Sequence, residues 1–192
     1  MKKLMIYLLI LIFNSCGNGI DQISHTGICD GYDEWSTSSF DLPWTAGETF
    51  KISQANCGAY THLGAHRYAY DIIMDIGTDI LAAKAGTVIE VEEANEDGNG
   101  CPDANFVKIE HADGSVAAYF HLTKNGALVT EGSAVVQGDI IAKSGNSGCS
   151  TDPHLHFVVF ADDIEGDSIP VTFQNTEKNV RGLKSSTDYT AL

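Results

Sequence analysis

Pro153-His154-Leu155-His156-Phe157 is the most informative run of this 192-residue chain, and with Val158-Val159-Phe160 behind it the run predicts a strand. Residues two apart on a strand point to the same side. His154 and His156 therefore share one face, while Leu155 and Phe157 point to the other face, which we expect to be the core. Two neighbouring imidazoles would repel each other as cations. A metal ion, or a divided catalytic role, removes that conflict.

A carboxylate earlier in the chain is the natural partner of these histidines. Hydrolysis at zinc needs about three protein ligands and one open position, and neutral imidazole and carboxylate oxygen both suit the metal. Asp71 interrupts an apolar run, 68–74, where a carboxylate is costly unless it is paired or bound to a cation. His62 and His66 precede it, and His121 ends a third predicted strand. The sequence therefore predicts a zinc site assembled from separate β-segments.

Short strands and glycine-containing turns dominate the middle of the chain. No window beyond the first residues shows a helical period. The residues around His111-Ala112-Asp113-Gly114 predict a β-hairpin. The pattern favours an antiparallel all-β domain. Its predicted strands are Tyr68–Ile73, Thr87–Glu92, Phe106–Glu110, Ser115–His121, Asp139–Lys143, His154–Phe160 and Ile169–Phe173.

The first residues are typical of an export signal. Lys2 and Lys3 precede a ten-residue apolar run, Leu4–Phe13, which is too short to span a bilayer and fits a signal-peptide core. The following Ser15-Cys16 resembles the bacterial lipoprotein processing box, so we predict cleavage after residue 15 and lipidation of Cys16. Two or three acyl chains would give stable anchoring. The alternative is an ordinary signal peptide with an unmodified cysteine.

The number of cysteines and the net charge indicate where the protein works and which partners are disfavoured. Four cysteines remain after Cys16, which in an exported chain favours two disulfides, with all three pairings open. They are Cys29, Cys57, Cys101 and Cys149, and none lies in a C-x-x-C pair that would indicate a cysteine zinc knuckle. The formal charge is −15, and losing residues 1–15 with their two lysines makes it −17. Nucleic acid and anionic lipid surfaces are therefore poor partners.

Several motifs occur in an order that resembles the lysostaphin/LytM-type zinc metalloendopeptidases, over roughly residues 42–173. The motifs include Thr61-His62-Leu63-Gly64, Tyr68-Ala69-Tyr70-Asp71, Tyr119-Phe120-His121-Leu122, Ser144-Gly145-Asn146-Ser147-Gly148 and Pro153-His154-Leu155-His156-Phe157. The resemblance implies an antiparallel β-sandwich of the duplicated hybrid motif type. It also implies a Zn²⁺ cofactor and hydrolysis of peptide cross-links in bacterial peptidoglycan.

The same resemblance implies roles for five side chains. His62, Asp71 and His156 become the zinc ligands, and His121 and His154 become the catalytic pair. His66 stays open as a rival first ligand. We favour His62 because Thr61-His62-x-Gly64 before Tyr-Ala-x-Asp resembles relatives with an insertion here.

Other positions are expected to have no direct part in metal binding or catalysis. Asp152 stands where the family commonly has glycine, and with Cys149 it is expected to shape the wall of the cleft. His111 at a hairpin is expected to be structural, and His25 in the tether has no expected role.

The expected organisation has four segments. They are a signal peptide at 1–15, an anchor tether and lead-in at 16–41, the endopeptidase domain at 42–175 and a frayed polar tail at 176–192. A lipid-anchored protein of the cell envelope, facing the periplasm, would meet peptidoglycan there. Lipoproteins are more common in Gram-negative envelopes, which favours the direct D-Ala to diaminopimelate link over a glycine bridge.

Two other classes of protein share part of this pattern. A non-catalytic regulator of cell-wall hydrolases would keep the fold and lose ligands, whereas this chain retains all five candidate positions. A lipoyl- or biotinyl-type carrier domain would match the hairpin pieces at 86–88 and 136–142, but it does not explain His154 and His156.

Overall fold

The computed structural model describes residues 29–58, 60–162 and 166–192. The predicted signal segment, the lipidation position Cys16, His25 and the first part of the tether lie outside the described residues. Among the residues that are described, no helix has the length and apolar character needed to cross a membrane.

Ten strands build the described part of the molecule, and every strand pair in it is antiparallel. The helical elements described are two short 3-10 turns, Trp35–Thr37 and Gly64–His66. The predicted antiparallel all-β fold is therefore confirmed. The strands are β1 (Thr49–Gln54), β2 (Tyr70–Ile73), β3 (Asp79–Leu81), β4 (Gly86–Glu92), β5 (Asn105–Glu110), β6 (Val116–Ala127), β7 (Ala134–Val135), β8 (Ile140–Ser144), β9 (His154–Phe160) and β10 (Thr187–Thr190).

The main sheet runs in the order β10-β1-β2-β9-β6-β5-β4-β7, and β8 branches from β6 to pair with β3. Ile80 of β3 and Ile141 of β8 are fully buried in the same core cluster as Ile72 of β2 and Leu155 of β9. The branch therefore packs over one face of the main sheet, which gives the two layers expected of a sandwich.

The middle of the sheet separates a core face from an outer face. Leu155, Phe157 and Val159 of β9 enter the main core, as the alternation predicted. A smaller apolar cluster lies on the other face and includes Val158 and Phe160, with Ala65 of the 3-10 turn packed against it. The Gly64–His66 turn is thereby fixed on the outer face of β9, beside the strand positions of its two histidines.

Two disulfides pin the loops, as the cysteine count predicted. Cys29 pairs with Cys57 and ties the lead-in to the chain after β1. Cys101 pairs with Cys149 and ties the β4–β5 loop to the loop before β9. The pairing left open by the sequence is thus settled.

The prediction of a frayed tail is wrong. Thr187–Thr190 forms β10 and pairs with β1, where Tyr189 lies opposite Phe50. Tyr189 and Ala191 are buried in the core cluster. Leu183 of the same tail is buried there too, and the polar neighbours of these apolar residues hide that signal in the composition.

The predicted strand Ile169–Phe173 is also wrong. Pro170 has no N–H to give to a ladder. The nearby backbone groups bind side chains instead: Ser38 Oγ donates to the Thr172 carbonyl, and Phe173 N–H donates to Asn179 Oδ1. The segment is buried without being a strand.

Candidate metal centre

Asp71 lies at the centre of a group of histidines on the outer face of the sheet. It is the cross-strand partner of His156 in the β2–β9 pair. Its Oδ1 lies 2.7 Å from His156 Nδ1 and 3.1 Å from His62 Nε2. The potential ligand atoms of these three residues all lie within 4.8 Å of one another, so that they could hold one metal ion.

His62 is fully buried and its ring orientation is fixed. Its Nδ1–H donates to the Ala55 carbonyl over 2.9 Å, so the neutral ring has a bare lone pair on Nε2. That Nε2 is buried without a hydrogen-bond partner and faces the Asp71 carboxylate. Two acceptors facing each other in a buried place are unfavourable unless a proton or a metal ion lies between them.

The carboxylate and the second imidazole have the protonation states that a metal requires. Burial opposes ionisation of Asp71, but its contacts with His156 and His62 outweigh burial and hold the pKa of Asp71 well below its usual range. Burial lowers the pKa of His156, although the Asp71 carboxylate opposes that shift. An ionised carboxylate and neutral imidazoles are the forms that bind zinc.

His121 and His154 form a second pair beside this group, with ring centroids 4.7 Å apart. His154 Nδ1–H donates to the Asp152 carbonyl over 2.8 Å, and His154 Nε2 lies 3.6 Å from Asp71 Oδ1. His121 Nδ1–H donates to the Ser147 carbonyl over 2.7 Å. Both neutral rings therefore keep a proton-free Nε2. Burial, followed by the neighbouring His154, lowers the pKa of His121 to about 4.

A bulge in β6 aims His121 at the site. Simple alternation would place His121 on the core face with Tyr119. The register between β5 and β6 shifts at this point, since Asn105 pairs with Leu122 while Phe106 pairs with Phe120. His121 is the extra residue, and its φ of 64° lies in the left-handed region that non-glycine residues rarely adopt. Bulges of this kind re-aim side chains next to active sites.

Residues 65–168, more than half of the chain, match the family described as peptidase family M23. The chain belongs to peptidase family M23. Asp71, His121, His154 and His156 lie inside the matched residues, and His62 lies three residues before them.

Curated M23 relatives resemble this chain over about half its length. A glycyl-glycine endopeptidase of Staphylococcus capitis is 36% identical over 95 residues, 49% of this chain and 24% of that protein. The peptidoglycan DD-endopeptidase ShyA of Vibrio cholerae is 36% identical over 87 residues, 45% of this chain and 18% of that protein. The matched part therefore spans less than a quarter of either relative.

A solved structure supports the fold assignment. The antimicrobial peptidase lysostaphin from Staphylococcus simulans superposes with a TM-score of 0.51 at 27% identity, over 67% of this chain and 50% of that one. Its resemblance agrees with the all-β M23 fold described above.

The structure brings all five predicted site residues together and leaves His111 apart from them. His111 Nδ1–H donates to the Ala85 carbonyl, and its ring packs against Phe40. His66, the rival first ligand, is not among the three potential ligand residues. Its Nδ1 faces His156 Nε2 at 2.9 Å, and burial, followed by the neighbouring His156, lowers the pKa of His66 to about 4.

The anchor of His121 is a functional feature that sequence reasoning missed. Ser147 offers its carbonyl to His121, while its buried hydroxyl accepts from Asn105 N–H and donates to the Leu122 carbonyl. In the sequence, the run Ser144–Gly148 contributes only to the family resemblance. Its serine and glycine content was the available signal for a tight loop that presents carbonyl groups to the site.

Proposed function

We propose that this protein is a zinc-dependent endopeptidase that hydrolyses peptide cross-links of bacterial peptidoglycan. One observation carries the proposal: His62 Nε2 is buried, unpartnered and 3.1 Å from an Asp71 oxygen that His156 Nδ1 also contacts. Two imidazoles and one carboxylate form a donor set used by catalytic zinc sites. His62, Asp71 and His156 would hold the ion.

His121 and His154 would move the protons of peptide-bond hydrolysis. A bound zinc ion supplies Lewis acidity that polarises the scissile carbonyl and lowers the pKa of water toward neutrality. One of the two histidines accepts the proton of the attacking water at its free Nε2 and passes it to the leaving amine. The other, when protonated at Nε2, donates to the oxygen on which negative charge develops. The backbone carbonyls at Nδ1 keep both rings oriented for these tasks.

The bond to be cut is proposed from the N-terminal sequence. The matched relatives include one named for glycyl-glycine bonds and one named a DD-endopeptidase, at the same 36% identity. Similarity alone therefore does not favour either bond. The lipoprotein-like Ser15-Cys16 is more common in Gram-negative envelopes, and on that ground we propose the direct D-Ala to diaminopimelate link.

The place of action is proposed from the same segment and from the disulfides. Export is favoured by the apolar run after Lys2 and Lys3, and two disulfides are typical of an oxidising compartment. A lipidated Cys16 would carry about two acyl chains or more, which is enough for stable anchoring in the membrane. The protein would then face the periplasm and reach peptidoglycan from there.

Zinc analysis combined with peptidoglycan digestion tests the proposal. The purified protein should carry one zinc per chain and convert directly cross-linked peptidoglycan into uncross-linked peptides, identified by mass. Chelation should stop the reaction and added zinc should restore it. Glycine-bridged peptidoglycan, offered in parallel, should be cut much more slowly. A zinc-loaded protein that cuts neither substrate would overturn the endopeptidase proposal, and cleavage of the bridged substrate alone would overturn the choice of bond.

A further inference from the structure

His66 occupies a defined place against the metal-binding face without contacting Asp71. It ends the 3-10 turn Gly64–His66 that is packed on the outer face of the sheet. Its ring lies between Phe120 and Phe160, with centroid distances of 5.9 Å and 5.6 Å. Its Nδ1 lies 2.9 Å from His156 Nε2. Packing therefore holds one nitrogen of His66 against the nitrogen of His156 that points away from Asp71.

The positions of the ring protons decide which histidine donates and which accepts in this contact. If His156 Nδ1 offers its lone pair to a metal, the ring proton of neutral His156 must be on Nε2. The acceptor that faces this proton is His66 Nδ1. His66 must then carry its own proton on Nε2. The reverse arrangement, in which His66 Nδ1–H donates to His156 Nε2, places the proton of neutral His156 on Nδ1, where it faces Asp71. Only the arrangement in which His66 accepts leaves His156 Nδ1 free to bind a cation.

We propose that His66 is a positioning residue that fixes the tautomer and the ring orientation of His156 for metal binding. The inference rests on the proposed zinc site. Ligating histidines usually donate their second N–H to a carboxylate, a carbonyl or water. Here the acceptor is a neutral imidazole. A neutral acceptor leaves Asp71 as the single anion of the donor set, so the zinc centre would keep a net charge of +1 and more of its Lewis acidity.

Two replacements separate this role from packing. In His66→Asn, the side-chain Oδ1 occupies the position of Nδ1 and still accepts from His156. In His66→Leu, the volume is similar and the acceptor is lost. Zinc dissociation constants are measured on the full chain in detergent by competition with a chromophoric chelator. Thermal unfolding of the metal-free proteins serves as the packing control, and cobalt substitution reports ligand geometry through its visible spectrum.

The expected pattern is specific. His66→Leu should weaken zinc binding by roughly 10- to 100-fold, the usual cost of removing an outer partner of a metal ligand. His66→Asn should stay within about threefold of the unaltered protein, and its cobalt spectrum should be unchanged.

Three results would overturn the inference. Equal losses in both variants would show that the acceptor is irrelevant. Unchanged zinc binding by His66→Leu would show that His156 needs no partner. An altered cobalt spectrum in both variants, at cobalt concentrations that saturate the site, would make His66 a ligand. If the unaltered protein binds no zinc, the proposed function fails with it, and that outcome is distinct from the other three.

Discussion

Asp71 and His156 are cross-strand partners in the β2–β9 pair, and Oδ1 of the first lies 2.7 Å from Nδ1 of the second. A ladder register is fixed by the packing of every residue along both strands, because a one-residue slip would turn each side chain to the other face. The apolar core under β9 therefore also sets the distance between a carboxylate and an imidazole on the opposite face. Metal-binding geometry and core packing are linked in this pair of strands.

The first prediction concerns the identity of the ligands. His62→Ala should abolish stoichiometric zinc binding, because it removes a buried Nε2 that faces Asp71 and leaves two of the three potential ligand residues. Zinc is measured by elemental analysis after dialysis against a buffer without chelator. His111→Gln is the matched control, because this buried histidine lies outside the site, and that variant should retain zinc. Full zinc retention by His62→Ala would exclude His62 as a ligand.

The second prediction separates catalysis from metal binding. His154→Ala should keep its zinc and lose activity by about 100- to 10,000-fold, the range typical of removing a positioned acid or base. The same holds for His121→Ala, whose ring also lies outside the three potential ligands. Cross-link hydrolysis is followed by mass analysis of released peptides, at equal zinc loading. Near-normal turnover of either variant would contradict the assigned role of that residue.

The strand His154–Phe160 could be predicted in full because its pattern is local. The alternation of imidazole and apolar residues predicts both the strand and its two faces, and the strand in the structure has the predicted bounds. Asp71 could be singled out because a carboxylate in an apolar run needs a partner. These inferences rest on single segments and the physics of burial, which is why they hold without knowledge of the topology.

The face of the sheet on which the His121 side chain lies could not be predicted from the residues alone. A period of two places it on the core face, and only the extra residue in β6 turns it outward. The bulge depends on pairing with β5, which is a non-local relationship. The position of His66 is non-local in the same way. In the sequence it lies five residues before Asp71, but its contact is with His156, ninety residues later.

The third prediction concerns pH and the metal-free protein. Burial lowers the pKa of both His66 and His121 from the ordinary value of 6.5 to about 4. Between those values the unfolded chain binds protons that the folded protein excludes, so the free energy of unfolding should decrease as the pH falls from about 6.5 to about 4. Asp71, with its lowered pKa, adds to the loss at still lower pH.

Urea unfolding of the chelator-treated protein across this pH range measures the effect. His121→Gln should show a shallower decrease, because it removes one of the excluded protons. A free energy of unfolding that stays constant or increases on acidification would show that these histidines are protonated in the folded state.

The fourth prediction concerns the anchor. Replacement of Cys16→Ala in the full-length protein should move it from the membrane fraction to the soluble fraction, because the acylated residue is removed. Fractionation followed by immunoblotting measures the shift. Cys29→Ala is the matched control: it also removes one cysteine, but that cysteine forms a disulfide with Cys57 and carries no acyl chain, so this variant should stay in the membrane fraction. Unchanged membrane partition of the Cys16 variant would remove the lipoprotein proposal and leave the zinc site unaffected.

The fifth prediction concerns the loop that anchors the catalytic histidines. Cys149 lies between Ser147 and Asp152, whose carbonyls hold His121 and His154. Its disulfide to Cys101 ties this loop to the β4–β5 loop. Replacing both cysteines with serine should lower stability by about 2–4 kcal/mol, the usual contribution of a native disulfide. It should also lower the hydrolysis rate, because the two carbonyl acceptors become less well fixed.

Zinc stoichiometry should not change in this double variant, because the three potential ligands lie on β2, β9 and the chain before the 3-10 turn. Serine replacements at Cys29 and Cys57 provide the comparison: they remove the other disulfide and leave the loop 145–152 intact. The ratio of rate loss to stability loss should be larger for the Cys101 and Cys149 pair. Equal ratios would show that this disulfide stabilises the protein as a whole and has no specific effect on the orientation of His121 and His154.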